Sequence, residues 1–205
     1  WFNDFLNKVG RDKATLVMHT EPFDPNGQDL VAIQKKLNLD DDQFKISTNK
    51  LSIEQLSVLY NSIDCTINIS DAEGFGLATL ESLATETPII VNMTGGLQEQ
   101  VTDGKDWFGI GIEPCSKAII GSQEVPWIYE DRLNGEDVVA AMIRMYEMSE
   151  EDRREMGKKG RNHVLTNYSM KNYISSWDKT LTEVHEKYGS WETMNRKQWS
   201  LHKVI

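Results

Sequence analysis

The chain has 205 residues, 39% of them hydrophobic, two cysteines and a net charge of −10. Such a length fits one domain of ordinary size, with or without helical additions. The acidic balance, without a cluster of Lys and Arg or a stripe of basic and aromatic residues, argues against nucleic acid and anionic membrane surfaces, which are bound through basic patches.

The densest basic stretch, Arg153-Arg154 and Lys158-Lys159-Gly160-Arg161, is interleaved with Glu150, Glu151, Asp152 and Glu155 and reads as a solvated helix face. Cys65 and Cys115 have neither a disulfide framework nor metal-ligand spacing. Cys65 falls in an apolar run and reads as a small core residue. Asn68, Asn92 and Asn167 open glycosylation sequons, but Asn68 lies inside that run, so chance is the better account. With no signal peptide and no membrane-length apolar run, the chain is expected to be soluble and cytoplasmic.

In chain order, WFNDFLNKVG reads as a helix ended by Gly10. A helix without a preceding strand is an odd opening for a fold, and the first residue is Trp1, so a fragment of a longer protein is expected. Ala14–Thr20 is a predicted strand that ends at His19-Thr20. His19 reads equally well as a site residue and as an ordinary polar loop residue. Asp24-Pro25-Asn26-Gly27 is turn chemistry. Asp29–Leu37 follows as a helix with Leu30, Ile33 and Leu37 on one face.

Asp40-Asp41-Asp42 contains the Asp-x-Asp pattern that holds a metal in some sugar-transferring folds. It sits at the amino end of the next strand, however, the wrong side of a parallel sheet, and reads as a solvated turn. Phe44–Ser47 is that strand, with Ser47 opening the loop at its carboxyl end. Ser52-Ile53-Glu54-Gln55 reads as a capping box one residue short, starting a helix to Tyr60.

The central stretch is Ile63 to Glu99. Ile63–Ser70 and Pro88–Asn92 are short, apolar and β-branched, as buried strands are. Leu77–Ala84 between them has helical spacing, with Leu77, Leu80, Leu83 and Ala84 on one side. The joint is Asp71-Ala72-Glu73-Gly74-Phe75-Gly76. This strand–loop–helix–strand unit predicts a parallel sheet, and ligands of such sheets bind beyond the carboxyl ends of the strands, where this loop lies.

Glu73 and Glu81 frame the loop with seven residues between them. The first turn of the helix offers unpaired N–H groups and partial positive charge to an anion such as phosphate. Gly74 and Gly76 allow close approach of the backbone. Two acids would repel a phosphate they touched, so hydroxyl groups are their better partners. A sugar nucleotide, with a negative centre between hydroxyl-bearing rings, has that form. Taken singly, an acid near a helix start is explained by the dipole alone, worth ~0.3–1 kcal/mol.

Asn92-Met93-Thr94-Gly95-Gly96-Leu97 is a second glycine loop, leading to a short helix Leu97–Val101. Neither loop is a P-loop, and the third glycine of a dinucleotide fingerprint would be Thr79. Phe108–Ile112 is the last predicted strand, and Ser116–Tyr129 a long loop of no legible role. From Glu136 onward the chain reads as helices, Asp137–Met148, Glu151–Leu165 and Met170–Lys187, then a shorter one around Trp191–Trp199. Ser149 caps an acidic first turn. His163 and His185 have no acid at useful spacing and read as surface or packing residues.

The strings EGFGLATLESLATETPIIV and TGGLQEQVTDG resemble the nucleotide-binding half of the GT-B glycosyltransferases of family 4, also called glycosyl transferases group 1. The matching positions are Glu73, Gly74, Phe75, Gly76, Leu77, Glu81, Pro88, Gly95, Gly96, Leu97 and Glu99. The resemblance implies an α/β fold with a Rossmann-like parallel sheet flanked by helices. Residues 1–167 would form the donor-binding domain, its first strand missing, and residues 168–205 helices that pack toward an absent N-terminal domain.

It also implies a retaining transferase, hexosyl transfer being expected, with no obligatory metal or other cofactor. By matching position, Glu73 would meet hydroxyls of the donor sugar at the reacting end. The N–H groups at Gly76 and Leu77 would face the diphosphate, and Glu81 would take the ribose hydroxyls. Ser47–Asn49 would border the base and Gly95-Gly96 the sugar. The donor would be UDP-, GDP- or ADP-linked, and the acceptor a glycan, lipid or protein held by the missing domain. The family's cationic diphosphate clamp would precede Trp1, so the chain alone is expected to be inactive. The glycine usual two residues before Pro88 is Glu86, which costs ~1 kcal/mol or more if the position is left-handed. A nucleotide-sugar epimerase of the same fold and a non-catalytic nucleotide-binding module are the alternatives.

Overall fold

A computed structural model of the chain describes residues 1–190 except Asn26 and Val125. The helix expected around Trp191–Trp199 lies outside the described residues. Two compact units are present, Trp1–Val164 and a second from Leu165 onward.

The first unit alternates helices and strands: α1 (Phe2–Val9), β1 (Leu16–His19), α2 (Leu30–Lys36), β2 (Phe44–Ser47), α3 (Ile53–Asn61), β3 (Thr66–Asn68), α4 (Leu77–Ala84), β4 (Ile89–Asn92), α5 (Leu97–Val101) and β5 (Gly109–Ile112). A hairpin follows, β6 (Ser116–Ile120) and β7 (Ile128–Arg132), then α6 (Gly135–Glu147) and α7 (Glu150–Asn167), which continues past Val164 into the second unit. The second unit contains α8 (Met170–Tyr188).

The expected parallel pairing is present but divided. One parallel sheet has two strands, β1 and β2, and a second has the order β3-β4-β5. The central strand β4 is wholly buried, and its Ile89, Ile90 and Val91 anchor the sheet as the apolar run predicts. Phe5 and Leu6 of α1 join Ile90, Ile110, Val138 and Met142 in one core cluster. Helix α7 lies against the end of α4 through two glycines. A Cβ on Gly157 would stand 1.8 Å from Glu86 O, and one on Gly160 2.6 Å from Leu83 Cδ2.

Three sequence expectations are corrected. The Ser52 capping box is complete, because the helix begins at Ile53 and makes Gln55 its third residue. Ser52 Oγ accepts from Gln55 N, and Ser52 N donates to Gln55 Oε1 at 2.9 Å. The expected loop Ser116–Tyr129 is largely a hairpin, pairing Ser116 with Arg132 through Ile120 with Ile128 in antiparallel register. Ile119-Ile120 and Ile128-Tyr129 are strand-favouring pairs at its two sides, and Pro126 falls in the connection, where a missing N–H does no harm. In α4 the buried residues are Thr79, Ser82 and Leu83, while Leu77 is exposed. Thr79 and Ser82 tolerate burial because their hydroxyls have polar partners, Thr79 Oγ1 lying 2.9 Å from Gly76 O and Ser82 Oγ donating to Thr87 O at 3.0 Å.

In the second unit Ser169 caps α8, and Met170, Tyr173, Ile174, Trp177, Leu181, Val184 and Tyr188 are exposed along it at helical spacing.

Glu86 does adopt a left-handed conformation, φ 65°. Its side chain lies 3.8 Å from Arg161, an exposed pair of small value. Glu86→Gly should therefore raise stability by up to about 1 kcal/mol, and Gly157→Ala should lower it by about 1–3 kcal/mol, both read from urea-unfolding midpoints.

Candidate functional site

Two glycine loops pressed against each other form the site. Gly95 has φ 49°, and a Cβ there would stand 1.7 Å from Glu73 O. At Gly96 a Cβ would stand 2.7 Å from Phe75 O, and Gly96 N donates to Gly74 O at 3.3 Å. No side chain fits between the loops, so the second fixes the height of the first. Gln100, fully buried on α5, completes the joint. Its Nε2 donates to Phe75 O at 2.6 Å and its Oε1 accepts from Thr79 Oγ1 at 2.7 Å.

This support delivers the chain into α4 through Gly76, whose φ of 88° and ψ of 65° are left-handed. The first intrahelical bond at this end is Leu80 N to Gly76 O, at 3.2 Å. The N–H groups of Leu77, Ala78 and Thr79 therefore have no partner within the helix. Side chains cap α2, α3, α6 and α8 through Asp29, Ser52, Asn134 and Ser169, whereas α4 has no side-chain cap. Gly74 faces open space, and Phe75 and Leu77 are exposed. Uncapped donors, the helix dipole and an open approach together suit an anion.

Each acid is held by one neutral donor. Asn68 Nδ2 donates to Glu73 Oε2 at 3.2 Å, while Asn68 Oδ1 accepts from Ser70 N and Ser70 Oγ at 3.1 and 2.7 Å. Tyr60 OH donates to Glu81 Oε2 at 3.2 Å. Burial, followed by the Glu81 charge, pushes the Tyr60 phenol up to about 12, so it stays a donor at neutral pH. Asp71, two residues before Glu73, is paired with Arg132 of the hairpin at 2.6 Å, and Asp71 O accepts from Asp131 N at 2.8 Å.

His19 and Ser47 lie together at the carboxyl ends of β1 and β2, with His19 Nδ1 3.0 Å from Ser47 Oγ. They belong to the other parallel sheet, and no described contact joins them to Glu73 or Glu81. Asp40-Asp41-Asp42 is an exposed turn in which Asp40 Oδ1 accepts from Asp42 N and Gln43 N, both at 3.0 Å. His163 packs instead of reacting: its ring stacks on Phe108 at 4.5 Å and its Nε2 lies 2.9 Å from Glu99 O.

The sequence profile of the glycosyl transferases group 1 family matches residues 25–163, which include both loops and both acids. The chain belongs to that family. A D-inositol 3-phosphate glycosyltransferase of Corynebacterium urealyticum is 42% identical over 52 residues, which are 25% of this chain and 12% of that protein. The C-terminal domain of a glycosyl transferase group 1 family protein from Francisella tularensis, LpcC, superposes with TM-score 0.57 and 22% identity, covering 82% of this chain and 75% of that domain. The Anabaena protein HepE, solved with UDP and glucose, superposes with TM-score 0.58 and 15% identity, covering 89% of this chain and 52% of its own. The chain thus spans only part of the curated relative and about half of HepE.

Within the group 1 family frame, Asn68, Tyr60 and Gln100 are the residues that sequence reasoning missed. Their partners are 5, 21 and 25 positions away, so local spacing carries no signal for them. Two glycines separate shape from ligand contact. Gly95→Ala should destabilise the unit by about 3 kcal/mol or more in denaturant melts, because backbone cannot yield to the new methyl. Gly74→Ala should melt within about 0.5 kcal/mol of the parent.

Proposed function

We propose that this chain is the donor-binding, C-terminal half of a retaining family 4 glycosyltransferase of GT-B type. The observation that carries this reading is the uncapped, left-handed entry into α4 between two carboxylates, each tied to a neutral donor. An anion at the helix start and a hydroxyl-bearing ring on either side suit that arrangement, and a nucleoside diphosphate sugar supplies both.

In this reading the N–H groups of Gly76 and Leu77 receive the diphosphate, and Glu81 accepts from the ribose hydroxyls. Glu73 accepts from hydroxyls of the sugar, and Gly95-Gly96 border it. His19 and Ser47 edge the base side. As the bond from the anomeric carbon to the diphosphate oxygen breaks, the electron pair and negative charge move onto the diphosphate. The helix start is already oriented to stabilise that charge, so no metal is required. The acceptor hydroxyl, delivered by a further domain, forms the new bond to the anomeric carbon and passes its proton to the departing diphosphate oxygen. Helix α8, with its exposed apolar stripe, would pack toward that domain. No helix among the described residues is long and apolar enough to cross a membrane.

A thermal-shift panel of UDP, GDP and ADP tests donor binding, since a ligand at 100 times its Kd adds ~2.7 kcal/mol of stability. One of the three should raise the midpoint, and calorimetry should show Glu81→Ala losing about 2 kcal/mol of that affinity through its lost charge-assisted hydrogen bonds. Equal affinity in Glu81→Ala would remove the ribose role. No shift with any of the three would remove the donor site.

A further inference from the structure

Glu73 is fixed at both ends by contacts that leave one of its oxygens unused. Its backbone carbonyl lies against Gly95, where a Cβ would stand 1.7 Å from Glu73 O. Its carboxylate accepts from Asn68 Nδ2 through Oε2 at 3.2 Å, and among the described residues Oε1 has no hydrogen-bond partner. The direction of the Asn68 amide follows from chemistry. Ser70 N is a backbone donor and can only donate, so the atom 3.1 Å from it must be the Asn68 oxygen. Ser70 Oγ donates to the same oxygen at 2.7 Å. The amide nitrogen is thereby turned to Glu73, whose ionised carboxylate can only accept.

The relay ends on the sheet rather than in the loop. Asn68 is the last residue of β3, and Ser70 O accepts from Nδ2 of Asn92, the fully buried last residue of β4, at 2.8 Å. Two neighbouring parallel strands therefore hold Ser70, Ser70 holds Asn68, and Asn68 holds Glu73. An asparagine used only to cap the strand end would need its oxygen alone. Here its nitrogen is engaged by a half-buried acid five residues on. A side chain locked by hydrogen bonds to rigid strands presents its acceptor in one direction, which a loop alone does not achieve.

We propose that Asn68 is the positioning residue that sets which sugar the site accepts: by holding Glu73 Oε2 it aims Oε1 at one hydroxyl of the transferred group. This role rests on the donor reading above and adds stereochemical selection to it. An ionised acceptor aimed in one direction bonds a hydroxyl that points at it. The epimer, with that hydroxyl turned away, leaves both groups without a partner. A lysine or arginine in place of Asn68 would take up the charge of Glu73 along with its position. The neutral amide fixes the geometry and keeps Oε1 a full acceptor. Discrimination between epimeric sugars thus depends on Asn68. The hold on the nucleoside diphosphate, through the start of α4 and Glu81, does not.

Calorimetry on the full chain tests this with whichever of UDP, GDP and ADP it binds, and with the glucose-, galactose- and mannose-linked forms of that nucleotide. The parent should prefer one hexose over its epimers by about tenfold or more. Asn68→Ala removes the donor, and Asn68→Asp keeps the oxygen facing Ser70 but replaces the donor with an acceptor. Both should reduce the preference to about twofold or less, with affinity for the bare nucleotide within about twofold of the parent. In a Glu73→Ala background Asn68→Ala should change nothing further, because its effect passes through the carboxylate. If the Asn68 variants unfold, Ser70→Ala, at an exposed position, loosens the same lock and should lower the preference in the same direction. An unchanged preference in the variants, a parent that binds all three hexose forms alike, or an equal loss of bare-nucleotide affinity would overturn the proposal while nucleotide binding still stands. No binding of UDP, GDP or ADP would instead remove the donor reading, and this role with it.

Discussion

The contact of Gly95 and Gly96 with the backbone of Glu73–Phe75 sets the geometry on which the rest of the site depends. Loops at the carboxyl ends of neighbouring strands are usually separated by side chains and adjust independently. Here main chain lies on main chain, with no room for a single Cβ at either glycine. The buried Gln100 then ties Phe75 O to Thr79, on the far side of the left-handed Gly76. Because interiors are close-packed, the position of α4's first turn is inherited from the position of α5. The direction of its free N–H groups is therefore built into the fold.

That rigidity answers an electrostatic difficulty. Three carboxylates, Asp71, Glu73 and Glu81, lie in or beside a helix start that is suited to an anion, and a mobile loop would let them collapse onto its N–H groups. Each is held elsewhere. Arg132 neutralises Asp71, Asn68 holds one oxygen of Glu73, and Tyr60 holds one oxygen of Glu81. A charge held by a neutral donor keeps its acceptor capacity, so Glu73 and Glu81 can still meet hydroxyl groups. A guanidinium would have taken that capacity from them, as it does from Asp71. The hairpin β6–β7 thus contributes to the site by compensating one charge, although neither of its strands pairs with the parallel sheets.

Much of this was legible because it is local. The limits of α4, α5 and β2 follow from glycines, periodicity and short β-branched runs, and the left-handed Glu86 stands where the resembled family carries a glycine. The hairpin was missed because its connection is longer than a tight turn and has no Asn-Gly or Asp-Gly signal. Gln100 was missed for a different reason. In the string LQEQV it is indistinguishable from the exposed Gln98 beside it, and only the tertiary approach of Phe75 makes one of them a buried anchor. The apolar face of α4 was misread likewise. Thr79 and Ser82 are core residues once polar partners satisfy their hydroxyls, and a sequence shows the hydroxyl without its partner.

The divided sheet shows where local pattern and tertiary demand disagree. The runs at Leu16–Met18 and Cys65–Ile67 have the composition of strands enclosed on every side, but each has a neighbour on one edge only. Peptide groups in such strands carry donors and acceptors that burial leaves costly unless they are paired. An edge designed to remain open is shortened, charged, or given proline, and neither run contains a charge or a proline. Burial of Cys65, first among the causes, pushes its thiol up to about 12, the behaviour of a core position, although its wall opens on a cavity.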